Sequence, residues 1–170
     1  MKNLFQNINP DDIPDNVFKA IGKDWMLISA GHEKSWNTMT ASWGTLGILW
    51  NLPIAICFIR PQRYTFEFAE RSDYYTLSFF EDNDRKILNF CGTKSGRDHD
   101  KAAETGLKVF STELGNIGFE QARLILECKK IYADDINPDN FILKELINKN
   151  YPSRDFHRFY IGQVESVLIR

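Results

Sequence analysis

Pro53-Ile54-Ala55-Ile56-Cys57-Phe58-Ile59 is an unbroken apolar run of strand length, expected to be a β-strand buried on both faces. Further β-signals lie outward from it in both directions. Trp25-Met26-Leu27-Ile28-Ser29-Ala30 is strand-like, and Gly31 after it is read as a turn. Asp73–Phe80 is rich in β-formers, Leu124–Tyr132 alternates over its second half, and Phe156–Ile169 alternates around Gly162. Between these runs the signals are helical. Asp82-Asn83-Asp84 is an N-cap cluster for a helix in which Ile87, Phe90 and Cys91 share a face. Asp98–Thr105 reads as a short helix stopped by Gly106, and Phe141–Asn148 as another. Tyr64–Glu70 stays open: its aromatics alternate as in a strand, whereas Pro61 and the Glu content suit a helix start. Residues 1–24 form an arm with one short helix around Asn16–Ile21. Strands dominate and no regular strand–helix–strand alternation appears, so the fold class is mainly β (α+β): a barrel or sandwich with short helical connections.

At 170 residues the chain suits one domain, 1–170. Hydrophobic residues at 43% and charged residues at 26% exclude a disordered or collagen-like chain. The formal charge of −2 lacks the basic excess of a nucleic-acid binder. Cys57, Cys91 and Cys128 are an odd number without CxxC spacing, which reads as reduced, mostly buried thiols. The N-terminus carries no apolar leader, and the greasiest run, Leu46–Ile59, is broken by Asn51 and Pro53. The expectation is a soluble, cytoplasmic protein without a membrane span. Phosphate-loop, dinucleotide, zinc-protease and serine-elbow motifs are all missing, and His32, His99 and His157 are far apart, so no metal site is expected.

Three stretches carry chemistry. Trp36-Asn37-Thr38-Met39-Thr40-Ala41-Ser42-Trp43-Gly44 alternates small hydroxylated residues with bulky ones. It suits either close approach of a flat ligand to the backbone or a strand with one polar face between two core tryptophans. Arg60-Pro61-Gln62-Arg63-Tyr64-Thr65 sets two guanidinium groups and a hydroxyl beside the apolar strand, a set that grips a phosphate dianion. A helix starting near Pro61 adds its dipole there, and a surface turn pairing Arg with Glu67 is the plain alternative. Cys91-Gly92-Thr93-Lys94-Ser95-Gly96-Arg97-Asp98-His99-Asp100-Lys101 reads as a lid over phosphate or as a helix stop with a tight turn.

In this order the three stretches resemble the FMN-binding split-barrel family of flavin reductase-like proteins, in its flavoredoxin-like branch. His157-Arg158-Phe159-Tyr160-Ile161-Gly162 is similar to the family's closing strand. The resemblance runs from about Trp25 to Ile169 and implies a Greek-key split β-barrel, a homodimer with FMN near the subunit interface, and a helix at Tyr64–Glu70. It implies that Asn37, Thr38, Met39, Thr40, Ala41, Ser42 and Trp43 lie along the isoalloxazine. Arg60, Arg63 and Thr65 fall near the phosphate and ribityl chain, with Ser95, Gly96 and Lys101 close by. Trp36 and Trp50 are bulkier than the family pattern and bear on substrate access. The implied activity is hydride transfer from NAD(P)H to flavin N5 and on to free flavin or another acceptor. An FMN electron carrier without its own NAD(P)H site, or a flavin-free binding module, are the alternatives. Flavin carries the electron chemistry, which fits a chain with no catalytic cluster. His157 is the candidate catalytic residue, for substrate lining or proton delivery; a hydrogen-bonded strand histidine is its plain alternative.

Overall fold

The structure, a computed structural model, describes residues 4–170; residues 1–3 of the expected arm lie outside them. Its ten strands are β1 (Gln6–Ile8), β2 (Met26–His32), β3 (Ser35–Ala41), β4 (Gly44–Leu49), β5 (Leu52–Ile59), β6 (Tyr74–Phe79), β7 (Val109–Ser111), β8 (Ile117–Phe119), β9 (Leu124–Asp135) and β10 (Arg158–Ile169). Among the described residues five α-helices intervene, besides three short 3-10 turns: α1 (Val17–Lys19, continued by a π turn over Ala20–Asp24), α2 (Tyr64–Arg71), α3 (Arg85–Thr93), α4 (Lys101–Thr105) and α5 (Glu145–Asn150).

The main sheet is antiparallel throughout and runs β3-β2-β6-β9-β10-β5-β4. Its two outer strands, β3 and β4, are joined in the chain by Ser42 and Trp43 alone. Laid flat, seven strands would hold their outer members about 29 Å apart at about 4.8 Å per step. Three residue steps reach at most about 11 Å, so the sheet curls until its edges nearly meet, as a barrel. The barrel is split along β10. That strand keeps β9 on one side, while on the other Arg158–Gln163 pair with β5 and Val167–Ile169 pair with β1.

Side-chain alternation divides the interior. Met26, Ile28, Tyr75, Leu77, Leu124, Leu126, Cys57 and Tyr160 fill the barrel. Leu27 and Ile125 point the other way, onto a second core with Leu88, Cys91, Leu107, Ile117 and Phe119 beneath α3 and the β7–β8 hairpin. Tyr75 donates to the Ala55 carbonyl at 2.7 Å and occupies the space left by Gly162, where a Cβ would meet its Oη at 2.7 Å.

Several expectations need correction. β5 alternates rather than burying both faces, because Ile56 and Phe58 point to the half-open outer side of the barrel. Gly31 lies inside β2 with φ +102°, and the turn falls at Glu33-Lys34. A Cβ on Gly31 would sit 2.2 Å from the Ser35 carbonyl oxygen, which is why glycine stands at the crossing. Of the trio expected on one face of α3, Cys91 is buried and Ile87 packs half-buried on the same core, where Leu88 rather than Phe90 completes the face. Helix α2 starts at Tyr64, three residues after Pro61, which sits in the preceding turn. Helix α4 starts at Lys101, capped by the Asp100 carboxylate on the Ala103 amide. Helix α5 falls at Glu145–Asn150 rather than Phe141–Asn148. The arm supplies β1 as well as the short helix. All three thiols are free and buried. No described helix is long and apolar enough to cross a membrane.

Candidate functional site

Strand β3 is an edge strand with β2 as its one sheet neighbour, so the main-chain groups of its other edge are left to other partners. Asn37, buried, donates its side-chain amide to the Thr65 hydroxyl at 2.9 Å, fixing β3 to the first turn of α2. Gly96 closes over this pair. A Cβ there would approach Asn37 Oδ1 to 2.1 Å, so only a residue without a side chain lets the 94–100 loop pack against the strand. Lys101, 5% exposed, donates its ammonium to the carbonyls of Thr38 at 2.7 Å and Cys91 at 2.9 Å. Arg63, which precedes α2, donates to the Gly92 carbonyl at 3.0 Å.

These groups surround one cleft of about 200 Å³, lined by Asn37, Met39, Arg63, Thr65, Ser95 and Lys101 among others. Neither Arg63 nor Lys101 forms an ion pair among the described residues. Burial holds Lys101 down to about 8, and burial with the nearby Arg60 charge lowers Arg63 from its ordinary value. Two partly desolvated cations on one cleft with carbonyl partners only are an anion-seeking arrangement. The rim carries a clamp: the Arg97 guanidinium lies over the Tyr64 ring, 4.6 Å from its centroid, and pairs with Glu67. A larger cleft of about 550 Å³ lies on the other side of Asn37, Gly96 and Lys101 and is walled by Trp36.

The remaining expected residues sit elsewhere in the fold. Thr38 and Thr40 spend their hydroxyls on the Ile28 and Leu88 carbonyls, so what they offer a ligand is backbone. Ala41 is buried opposite Met26, and Ser42 and Trp43 form the two-residue link between the barrel edges. Arg60 turns away from the cleft. It pairs with Asp155, donates to the Asn150 carbonyl at 2.8 Å and lies over the Tyr151 ring. His157 is buried beside Trp43, ring centroids 5.1 Å apart, with Nδ1 3.0 Å from the Tyr151 hydroxyl. Burial, with the Arg60 charge adding to it, brings His157 down to about 4, so it is neutral near pH 7.

Sequence reasoning missed Gln62 and Tyr64 as cleft-lining groups and Tyr151 as the partner of His157. The first two stand within a stretch already singled out, flanking Arg63. Tyr151 lies on a segment whose approach to β10 has no local signal.

The chain belongs to the flavin reductase like domain family, whose model matches residues 18–170. No curated protein matches it. Among solved structures it is similar to an FMN-binding domain of a flavin reductases-like enzyme from Shewanella baltica, at 16% identity and TM-score 0.70, covering 99% of this chain and 78% of that one. It is also similar to a flavoredoxin from Methanosarcina acetivorans, at 20% identity and TM-score 0.66, covering 86% and 68%. A third is an NADH:FAD oxidoreductase from Streptomyces globisporus, in complex with NAD and FAD fragments, at 14% identity and TM-score 0.64, covering 86% and 74%. At these identities the likeness is one of fold.

Proposed function

We propose that the chain, as one domain over 1–170, binds FMN with its phosphate in the cleft between Arg63 and Lys101, and acts as an NAD(P)H-dependent oxidoreductase of flavin reductase type. The observation that carries this reading is the pair of carboxylate-free cations, buried Lys101 and half-buried Arg63, facing one cleft, on a chain of the flavin reductase-like family. When bound, the flavin supplies the redox chemistry at its N5, accepting hydride from the nicotinamide and passing electrons to free flavin or another acceptor. The protein's part is to bind and orient. Arg63, Lys101 and the Thr65 hydroxyl hold the phosphate end, and Ser95 and Gly96 close over it. The backbone of Asn37–Ala41, along the free edge of β3, and of the Ser42-Trp43 link that follows it, faces the ring's polar rim. Hydrogen bonds to that rim favour negative charge on the reduced ring. Arg60, held by Asp155, acts at one remove through the Tyr151 ring on His157 beside Trp43. His157, held neutral, lines the substrate side rather than delivering a proton as an imidazolium. A homodimer covers the outer end of the site.

Equilibration with FMN followed by desalting is expected to leave the protein yellow, and Arg63→Ala to weaken FMN by about 2–5 kcal/mol, the range for stripping one partner from a buried charge pair. Anaerobic addition of NADH or NADPH is expected to bleach the wild-type colour. Bleaching by dithionite alone would point to the electron-carrier alternative, and a colourless protein to a flavin-free module.

A further inference from the structure

The excursion between β9 and β10 folds back on itself and sets one side chain against His157. Tyr151, which ends α5, packs its ring on Phe156 at 4.7 Å and against Phe141 at 6.2 Å, and the Arg60 guanidinium lies 5.2 Å from its centroid. Tyr151 is 4% exposed, and its hydroxyl lies 3.0 Å from His157 Nδ1, its sole partner among the described residues. Burial pushes the Tyr151 phenol above its ordinary value, so near pH 7 the oxygen keeps a proton that needs an acceptor. His157 is neutral there and carries a single ring proton. With that proton on Nδ1, the Tyr151 hydroxyl would have no acceptor, and a stranded buried donor disfavours that form by roughly tenfold or more. With it on Nε2, the hydroxyl donates to a bare Nδ1 and both groups are served. Nε2 has no partner in the chain, yet the fully buried unpaired side-chain atoms among the described residues are Ser78 Oγ and Asp155 Oδ1, so Nε2 reaches solvent. Trp43 and Phe58 flank the ring, at 5.1 and 6.3 Å.

We infer that Tyr151 is a positioning residue: its hydroxyl donates to His157 Nδ1 and thereby holds the imidazole proton on Nε2, so that His157 offers the substrate side a hydrogen-bond donor and not a base. Use of that donor at the flavin rests on the proposed function, whereas the place of the proton does not. Long-range nitrogen–proton NMR correlation of the imidazoles reads the tautomer directly in the free protein, and the resonances lost in His157→Gln identify His157 among the three histidines. Wild type near pH 7 is expected to show a protonated Nε2 and a bare Nδ1. Tyr151→Phe keeps the ring and its packing and removes the hydroxyl alone. It is expected to give a mixture of both tautomers and to raise the His157 titration midpoint by about one pH unit, since the lost bond favoured the neutral imidazole. The Arg60 and Asp155 charges that act on His157 are unchanged by this substitution. In FMN-loaded protein, bleaching by NADH or NADPH is expected to slow roughly tenfold in Tyr151→Phe, with FMN affinity unchanged. A proton on Nδ1 in wild type overturns the assignment, and this result needs no variant to fold. An unaltered tautomer and midpoint in Tyr151→Phe overturns it as well, and an unaltered bleaching rate overturns the part given to the donor. Failure to bind FMN overturns the proposed function instead, and the wild-type tautomer still decides the role of Tyr151.

Discussion

Gly96, Lys101 and His157 each hold a position that another residue would change in a measurable way. A Cβ on Gly96 would fall 2.1 Å from Asn37 Oδ1, and the amide, hydrogen-bonded to Thr65, has little room to retreat. Gly96→Ala is therefore expected to push the 94–100 loop off β3 and weaken FMN by about 1–3 kcal/mol, the usual range for overpacking, as read by fluorescence titration. Lys101 titrates at about 8 in the folded protein and at 10.5 ordinarily. Between these values the unfolded chain holds a proton that the folded one has lost, so this group makes stability rise with pH from about 8 to 10.5. Wild type should gain stability over Lys101→Met across that window in urea titrations. Bound phosphate favours the charged amine, so FMN affinity should fall as pH climbs through 8, while riboflavin, which lacks the phosphate, should show no such fall. His157 works in the acid range. Its value of about 4 lies below the ordinary 6.5, so its contribution to stability is complete above 6.5 and is lost as pH falls toward 4. In His157→Gln that part of the acid loss should be absent.

Among elements, the arm shows how a segment without a clear pattern becomes part of the barrel. Asp15 receives two hydrogen bonds from the Arg123 guanidinium, at 2.9 and 2.7 Å, with both side chains largely shielded. Asp15→Ala is expected to lower stability by about 1.5–3 kcal/mol, the range for hydrogen bonds to charged groups, and to expose the chain before Met26 to limited proteolysis. Nothing local announces that contact, since its partners are 108 residues apart. The same limit explains what was legible. β2, β5, β6, β9 and β10 are long enough for composition and alternation to show, whereas β1, β7 and β8 have three residues each and no period to read. Tyr64–Arg71 carries signals for both helix and strand because Tyr64, Phe66 and Phe68 alternate while Phe68 and Ala69 are the side packed on the barrel. In the site, Asn37, Arg63, Thr65, Ser95, Gly96 and Lys101 come from three separate stretches and line one cleft. Arg60 looks equivalent to Arg63 in sequence, yet it is drawn to Asp155, 95 residues away, and sequence offers no means of telling the two apart.

On the scale of the whole molecule, the barrel is covered unevenly. Its β2–β6–β9 side lies beneath α3 and the β7–β8 hairpin, while the outer face of β5, β10 and the far end of β9 carries a ribbon of rings. Trp50, Tyr132, Phe159, Phe58, His157 and Trp43 follow one another at centroid distances of 6.4, 6.0, 6.1, 6.3 and 5.1 Å. Trp50 is 59% exposed and is presented by the β4–β5 turn, where Trp50 and Asn51 take φ of +52° and +59°. A left-handed conformation at a tryptophan costs about 1–3 kcal/mol, so this exposure is maintained against a local penalty. The ribbon runs from that turn to Trp43, beside the proposed ring site, and it is the face on which the proposed homodimer would close. A two-fold axis would set one ribbon against its copy and cover the flavin ring end in the same step. Sedimentation velocity is expected to show a dimer for wild type and a monomer for Trp50→Asp combined with Tyr132→Asp. Removal of an aromatic anchor typically costs about 2 kcal/mol, or roughly thirtyfold in association. Both positions lie outside the phosphate cleft, so FMN affinity should fall in the double variant only through loss of the covering subunit. A wild-type monomer that binds FMN as tightly as the double variant does would show that the ring needs no second subunit and that the ribbon has another occupant.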